Sequence, residues 1–208
     1  MGAILSLAGC GPRLEVALRL PDAATSGLVA LAGPTPRSEL IVAAIDLLLR
    51  AARISPHDVE TVAVTCGPGS FTGIRVALAT AQGIAHGAGA RIAAFPSLLV
   101  QAARAGGGPC LAVQPARRGS VYAQVFAPGH PIPSARGDVE VRAVASLLEA
   151  EAPVMAPDGL ALDERVSRAA PRVTTCEALA TLVGVAEASP PVPLYVDDAP
   201  ARARGNQT

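Results

Sequence analysis

The sequence contains no lysine. All 17 of its basic residues are arginine, and they balance 17 acidic residues to a formal net charge of zero. The missing lysine excludes a P-loop, which requires GxxxxGK[ST], and every other mechanism that depends on a lysine side chain. The neutral balance argues against broad, nonspecific binding of nucleic acid.

Long apolar runs and paired metal ligands are missing as well. Half of the residues are hydrophobic, but the longest apolar run, Leu40–Leu49, has ten residues and is interrupted by Asp46. A membrane helix needs about 18. The N-terminal MGAILSLAG has no basic leader, so we expect neither a signal peptide nor a membrane segment. The four cysteines form no CxxC pair, so we expect no zinc site, and unpaired thiols fit a reducing cytoplasm.

The predicted elements follow the order β-β-β-α-β-α-β-α, which indicates an α/β protein with a mixed sheet. A second series of strands starts at Cys110–Gln114, so we place a lobe boundary in the glycine-rich joint and divide the chain into residues 1–106 and 107–208. In the second half we predict, in order, a loop over Ala127–Gly137, helices over Ala143–Ala150 and Glu177–Ala188, and a fraying tail over Ala188–Thr208.

The helix predicted over Arg37–Arg53 is apolar on every face except at Asp46. Such a helix must be covered all round, and one sheet covers only one face. Four or five surplus aliphatic side chains at roughly 1.5–3 kcal/mol each would leave about 10 kcal/mol of unfavourable exposure. Either a second helix of the same chain or a partner protein must cover the remainder.

The stretch that is most informative about function is Cys66–Gly87, in which a glycine turn leads from a strand into a helix. This context brings backbone N–H groups and a positive helix end together, a geometry suited to anions. A dinucleotide fingerprint fits poorly, because the third glycine is one place late and no acidic residue follows about 20 positions on. A tight turn into a closely packed helix is the other interpretation. The candidate phosphate ligands are Gly67, Gly69, Ser70 and Thr72.

The helix after the turn carries two rows of small residues, at spacing suited to close backbone approach. The rows are Gly73, Ala77, Ala81 and Ala85, and Ala79, Gly83 and Gly87. Arg75 lies in the first turn, where a positive charge opposes the helix dipole. We therefore expect Arg75 to have a specific anionic or carbonyl partner.

No catalytic constellation is readable. Ser70 lies in GPGSFTG rather than GxSxG, which does not indicate a hydrolase elbow. The three histidines each lie at a loop or a helix end, and Asp158 has no paired carboxylate at a useful spacing. We predict no catalytic residue and no metal site.

One segment, GPGSFTGIRVALATAQGIA at Gly67–Ala85, resembles the signature of the bacterial TsaB family. TsaB is the dimerisation subunit of the machinery that makes threonylcarbamoyladenosine beside the tRNA anticodon. It belongs to the glycoprotease-like branch of the actin/Hsp70/sugar-kinase superfamily. Weaker matches to the family's HSExLLP, DARRGEVYxxxF, GDG and PLYLR segments lie, respectively, at Arg37–Glu39, Gln114–Phe126, Met155–Gly159 and Pro193–Val196.

The sequence also departs from the family pattern. The family opens ILAIDTS, and its acidic residue is Ala8 here. The His of HSE is Arg37, the Asp before ARRG is Pro115, and the Glu after it is Ser120. Magnesium and phosphate handling needs carboxylates near the phosphates, and Ala8 and Pro115 remove the two best candidates.

The resemblance implies a two-lobed, RNase-H-like (actin/Hsp70-type) α/β fold with mixed sheets and a shortened second lobe. It implies a cytoplasmic, non-catalytic scaffold whose first two long helices pack against the equivalent helices of a TsaD-type catalytic subunit. It further implies a TsaE-type ATPase as third component, tRNA bound only through the complex, and ATP or ADP at the partner interface rather than a cofactor of its own. The predicted interface residues are Ser38, Ile41, Ala44, Ile45, Leu48, Gly73, Ile74, Ala77, Leu78, Ala81, Ile84 and Ala85.

Two alternatives stay open at this point. One is an autonomous nucleotide-dependent enzyme, a small kinase or ATPase, against which Ala8, Pro115 and the missing lysine argue. The other is a diverged paralogue that only self-associates as a homodimer.

Overall fold

A computed structural model describes residues 2–22, 27–33, 35–117, 119–130 and 132–196 of the chain. Its first sheet has five strands in the order β3-β2-β1-β4-β5. They are β1 (Ala3–Ala8), β2 (Leu14–Arg19), β3 (Gly27–Leu31), β4 (Val59–Gly67) and β5 (Arg91–Pro96). The first three pair antiparallel, whereas β1, β4 and β5 run parallel, so the sheet is mixed.

Helices cover both faces of this sheet. They are α1 (Arg37–Ala52), α2 (Phe71–Ala88), α3 (Ser97–Arg104) and α4 (Thr175–Leu182). One apolar cluster joins α1 and α2 to the strands, and a second joins α3 and α4 to the opposite face. Because β1 and β4 are covered on both sides, their sequences are continuous apolar runs rather than alternating ones.

A second, four-stranded sheet has the order β8-β7-β6-β9. Its strands are β6 (Cys110–Pro115), β7 (Ser120–Ala127), β8 (Ser134–Ala143) and β9 (Val154–Met155). Short 3₁₀ segments lie at Pro56–Asp58 and Val144–Glu149. α3 packs on one face of this sheet, and the second 3₁₀ segment and the loop after β9 cover the other.

The predicted α/β fold with mixed sheets is confirmed, and three predicted elements of the second half are wrong. The expected loop over Ala127–Gly137 includes the start of β8, because Arg136 pairs with Val125 of β7. The expected helix Ala143–Ala150 is a 3₁₀ segment. The last helix starts earlier than predicted because Thr174 and Glu177 form a capping box. It ends at Leu182, before Gly184 with φ 85°.

The C-terminal part of the chain returns from the second lobe to the first sheet. Residues 107–208 were predicted as one lobe, but α4 packs against the first sheet. The buried carboxylate of Glu15 in β2 accepts hydrogen bonds from the Thr175 backbone N–H (3.1 Å) and from the Thr175 hydroxyl (2.9 Å). A carboxylate at a helix N-terminus is electrostatically favourable, so this contact fixes α4 on the sheet.

Arg104, the last residue of α3, links α3 to the second lobe from a fully buried position. Its guanidinium donates to the Val173 carbonyl (3.2 Å), the Ala156 carbonyl (3.3 Å) and Gln101 Oε1 (2.9 Å). It also forms an ion pair with Asp158 at 2.9 Å. Four bonds from one side chain therefore hold together α3, the loop after β9 and the approach to α4.

The described part of the tail is docked, so the prediction that it frays is wrong for residues 189–196. The Ser189 amide donates to the Ala94 carbonyl (2.8 Å), and the Leu194 amide donates to the Cys66 carbonyl (2.7 Å). Gln82 of α2 donates to the Pro191 carbonyl at 3.0 Å. The remainder of the predicted tail, 197–208, lies outside the described residues. Within the described ranges, no helix is long and apolar enough to cross a bilayer.

Candidate protein-interaction site

The glycine turn lies between β4 and α2, where the sequence places it, and it is tied to the first hairpin. The Ser70 amide donates to the Cys10 carbonyl at 2.9 Å, and the Ser70 hydroxyl caps α2 by accepting from the Gly73 amide at 3.2 Å. Gly69 has φ 149°, and a Cβ there would lie 2.5 Å from the Cys10 oxygen. The turn is therefore closely packed, and two amides that could face a phosphate are bonded within the chain.

Arg37 fastens the same region from α1. Its half-buried guanidinium donates to the carbonyls of Gly9 (2.5 Å), Gly11 (2.7 Å) and Pro12 (2.9 Å). Burial away from water lowers the pKa of Arg37 from its ordinary value. Arg37 stands where the family pattern has histidine, and here it holds the β1–β2 turn against the start of α1. Sequence reasoning gave it no role, because side-chain bonds to backbone carbonyls leave no pattern.

A cleft of about 690 Å³ opens beside the turn. The basic residues lining it are Arg37 and Arg117, and no acidic residue lines it within the part of the chain that the structure describes. Three of the chain's five aromatic residues lie in it. Of the predicted phosphate ligands, Gly69 and Ser70 line this cleft, whereas Thr72 lies on the neighbouring surface between α1 and α2. Pro115 also lines it, at the position of the missing family carboxylate.

Arg75 has a partner, but not the anion or carbonyl expected from the sequence. Its Nε donates to the Tyr195 hydroxyl at 2.9 Å, and its guanidinium lies 3.9 Å from the centre of the Phe71 ring. The Phe71 and Tyr195 rings stack at 5.4 Å. An aromatic ring attracts a cation over its face, which offsets the unfavourable helix dipole. The cluster joins the docked tail to α2.

The predicted interface residues separate into two groups. Ile41, Ala44, Ile45 and Leu48 of α1 and six residues of α2 are buried in the chain's own core. These side chains keep almost no exposed surface, so their assignment to direct contact with a partner is wrong. Only Ser38, which is exposed, and Ile84, which is half-buried, retain surface. The buried α2 residues are Gly73, Ile74, Ala77, Leu78, Ala81 and Ala85.

The opposite faces of the two helices are open. On α1, Val42 and Leu47 are 60% and 58% exposed. On α2, the second row of small residues, Ala79, Gly83 and Gly87, is exposed. A Cβ added at either glycine would meet no heavy atom of the described residues within 4 Å. Since α1 and α2 pack on the same side of the first sheet, both open faces point away from it in the same direction.

The other candidates give no reactive group. Ala8 is buried under α4, and Ser120 pairs with Ala143 at the start of β7. Among the described residues no three of His, Cys, Asp or Glu lie close enough to hold a metal ion together.

The cysteines are predicted to be unreactive in the folded protein. Burial raises the pKa of Cys10 to about 12 and that of Cys66 and Cys110 to about 11, and it also raises the pKa of Cys176. A shift from 9.0 to about 12 lowers the thiolate fraction of Cys10 about 1,000-fold at pH 8. We expect no modification by a thiol-disulfide reagent in the native state and four modified thiols in denaturant; rapid labelling without denaturant would contradict these environments.

The architecture is that of a two-lobed, RNase-H-like α/β protein whose two longest helices share one face of the first sheet. It is similar to YeaZ from Pseudomonas aeruginosa, with a TM-score of 0.71 and 21% identity over 94% of this chain and 100% of that one. It is equally similar to a second P. aeruginosa protein described as resembling peptidase YEAZ, at 20% identity over 95% of this chain and 100% of that one. These likenesses establish the fold.

A family model described as TsaD, tRNA N6-adenosine threonylcarbamoyltransferase, matches residues 35–189. The chain therefore belongs to this family. The tRNA threonylcarbamoyladenosine biosynthesis protein TsaB of Escherichia coli K12 is 33% identical over 93 residues, which are 43% of this chain and 40% of that protein. The predicted resemblance to TsaB is thereby confirmed.

Proposed function

We propose that this chain is a non-catalytic subunit that supports a related, TsaD-type catalytic subunit in forming threonylcarbamoyladenosine beside the tRNA anticodon. The observation that carries the proposal is the outward face of α1 and α2, defined by Val42, Leu47, Ala79, Gly83 and Gly87. This exposed face replaces the residues of α1 and α2 that were predicted from the sequence as the interface and that the structure buries. The assembly would act on tRNA in the cytoplasm, with a TsaE-type ATPase as third component.

The composition of this face supports a helix-packing contact. Two exposed aliphatic side chains on one helix are worth roughly 1.5–3 kcal/mol each if they become buried. A glycine in an exposed helix interior costs about 1 kcal/mol relative to alanine. Gly83 and Gly87 bear that cost although nothing in the described chain packs against them. Close packing of a second helix against this face would explain why both positions are glycine.

The small cavity between the two sheets has no room for a nucleotide, whereas the open cleft beside the glycine turn does. The cavity at the foot of the cleft between the two sheets is about 10 Å³. A single water needs about that much. We therefore assign ATP or ADP to the partner interface, beside Gly69 and Ser70, where the open cleft lies. Calorimetric titration of the isolated chain with ATP and magnesium should show neither micromolar binding nor turnover. Micromolar binding, or turnover, would favour the autonomous kinase or ATPase instead.

The decisive substitution is Ala79→Arg. Ala79 is exposed, so the fold should be retained, while a large charged side chain would prevent close helix contact. We expect affinity for the catalytic subunit of the same source, measured by calorimetry after size exclusion, to fall at least about 100-fold, which is about 2.7 kcal/mol.

The matched control is Ala145→Arg, on the exposed 3₁₀ segment of the second lobe, which should bind as the unchanged chain does. Ala77→Arg would not serve, because Ala77 has no exposed surface and the change would unfold the protein. If Ala79→Arg binds with unchanged affinity, the interface assignment fails. If it abolishes only a homodimer, the chain is the self-associating paralogue.

A further inference from the structure

A small polar cavity of about 10 Å³ lies at the foot of the cleft between the two sheets. Both lobes contribute to its lining, the first through β1, β2, β4 and α3, and the second through β6 and the loop after β9. The polar side chains around it are those of Arg13, Glu15, Thr65, Gln101, Gln114, Asp158 and Thr175. Nothing in the proposed function uses this cavity.

Two of these side chains keep a polar atom without a partner. Gln101 is fully buried, and Gln114 is 1% exposed. Neither Gln101 Nε2 nor Gln114 Oε1 has a hydrogen-bond partner among the described residues. Buried polar atoms are nearly always satisfied, since an unsatisfied one costs about 1–3 kcal/mol. Because both residues line the same small cavity, the two unsatisfied atoms indicate a molecule bound there.

The orientation of Gln101 is fixed by its neighbour. Its Oε1 accepts a hydrogen bond from Arg104 Nη1 at 2.9 Å. The amide nitrogen is therefore the free end, and it offers a donor. Gln114 offers the opposite, an acceptor oxygen.

We propose that one water molecule binds in this cavity, accepting from Gln101 Nε2 and donating to Gln114 Oε1. A cation would repel the amide N–H of Gln101, and an anion would repel the oxygen of Gln114. A donor facing an acceptor selects a neutral molecule that can do both, and a cavity of this size admits about one water and nothing larger.

This water forms a further link between the two lobes. Gln101 belongs to α3 and Gln114 to β6, so the bridge crosses from the helix layer of the first lobe to the sheet of the second. It lies beside the Arg104–Asp158 ion pair and the Glu15–Thr175 contact. At its foot, the cleft is thus closed by these hydrogen bonds and one water.

The first test is a high-resolution crystal structure of the unchanged chain, with a second crystal soaked in bromide. We expect one electron-density peak at hydrogen-bond distance from both Gln101 Nε2 and Gln114 Oε1, without anomalous signal from bromide. A direct bond between the two amides, an empty cavity, or a bromide peak there would each overturn the proposal. A bromide peak would mean that Gln114 presents its nitrogen.

The second test is in solution. Oxygen-17 magnetic relaxation dispersion counts long-lived buried waters, and we expect Gln114→Met to lose one relative to the unchanged chain. The control is Gln124→Met on β7, where the side chain bonds the Gly137 carbonyl at an exposed position and the count should stay the same. An unchanged count in folded Gln114→Met contradicts the water. If that variant does not fold, the crystal structure still decides.

Discussion

Arg104→Met should lower the free energy of unfolding by about 3 kcal/mol or more. The change removes four bonds of a fully buried guanidinium. It leaves the Val173 and Ala156 carbonyls and Gln101 Oε1 without that donor, at about 1–3 kcal/mol for each buried acceptor left unsatisfied. For a chain of this size, thermal unfolding should move down by about 6–12 °C.

The ion pair is the smaller part of this effect. The Asp158 side chain is 41% exposed, so water can solvate its carboxylate once the arginine is gone. Asp158→Asn should therefore lower the unfolding temperature much less than Arg104→Met. Arg165→Met, which breaks an exposed pair with Asp163, should leave it unchanged. Equal losses for Arg104→Met and Asp158→Asn would show that charge, rather than the carbonyl bonds, dominates.

The sequence predicted the order of elements in the first lobe because each signal there is local. The glycine turn, the strand before it and the helix after it lie where the pattern placed them. The second lobe was harder to predict because its elements depend on distant pairing. β8 is a charged edge strand, defined by bonds to β7 rather than by alternation of its own residues. Arg104 carried no signal at all, since a basic residue in the last turn of a helix is common.

The interface prediction failed at the level of the helix face. α2 has two rows of small residues with the same spacing, and periodicity alone does not say which row meets the sheet. The structure buries the row that begins at Gly73 and exposes the row that begins at Ala79. Likewise, α1 is apolar on most faces, so its inner and outer residues look alike in sequence. The first alternative for covering α1 holds in part, because the chain's own α2 packs beside it, while Val42 and Leu47 remain exposed.

Several departures from the family pattern lie around the β1–β2 turn and the cleft beside it. Where carboxylates would organise magnesium and phosphate, the chain has Ala8 and Pro115, and no acidic residue lines the open cleft within the described ranges. In the place of a ligand, the Arg37 guanidinium bonds three carbonyls of the turn. An internal cation therefore holds this loop in position.

Gly73→Ala and Gly83→Ala make the same change on the two rows of α2 and should have opposite effects. A Cβ at Gly73 would overlap the Gly9 carbonyl oxygen and the Arg37 guanidinium. The two backbones are also close when seen from the turn, since a Cβ at Gly9 would lie 2.5 Å from the Gly73 oxygen. Overpacking of this kind costs about 1–3 kcal/mol, only partly offset by the helix propensity of alanine. We expect a net loss of about 2 kcal/mol and a fall of about 4–8 °C in unfolding temperature.

At Gly83 no described heavy atom lies within 4 Å of the added Cβ, so the gain in helix propensity remains, about 1 kcal/mol. Gly83→Ala should therefore raise the unfolding temperature of the isolated chain by about 2–4 °C. The same variant should bind the catalytic subunit more weakly, because the methyl group holds the opposing helix away. A variant that is more stable alone and binds its partner more weakly separates packing within the chain from packing between chains, as measured by calorimetric unfolding and by titration.

Stabilisation by both substitutions would mean that α2 and the β1–β2 turn are not in direct backbone contact. Unchanged affinity of Gly83→Ala would place the partner elsewhere on the surface.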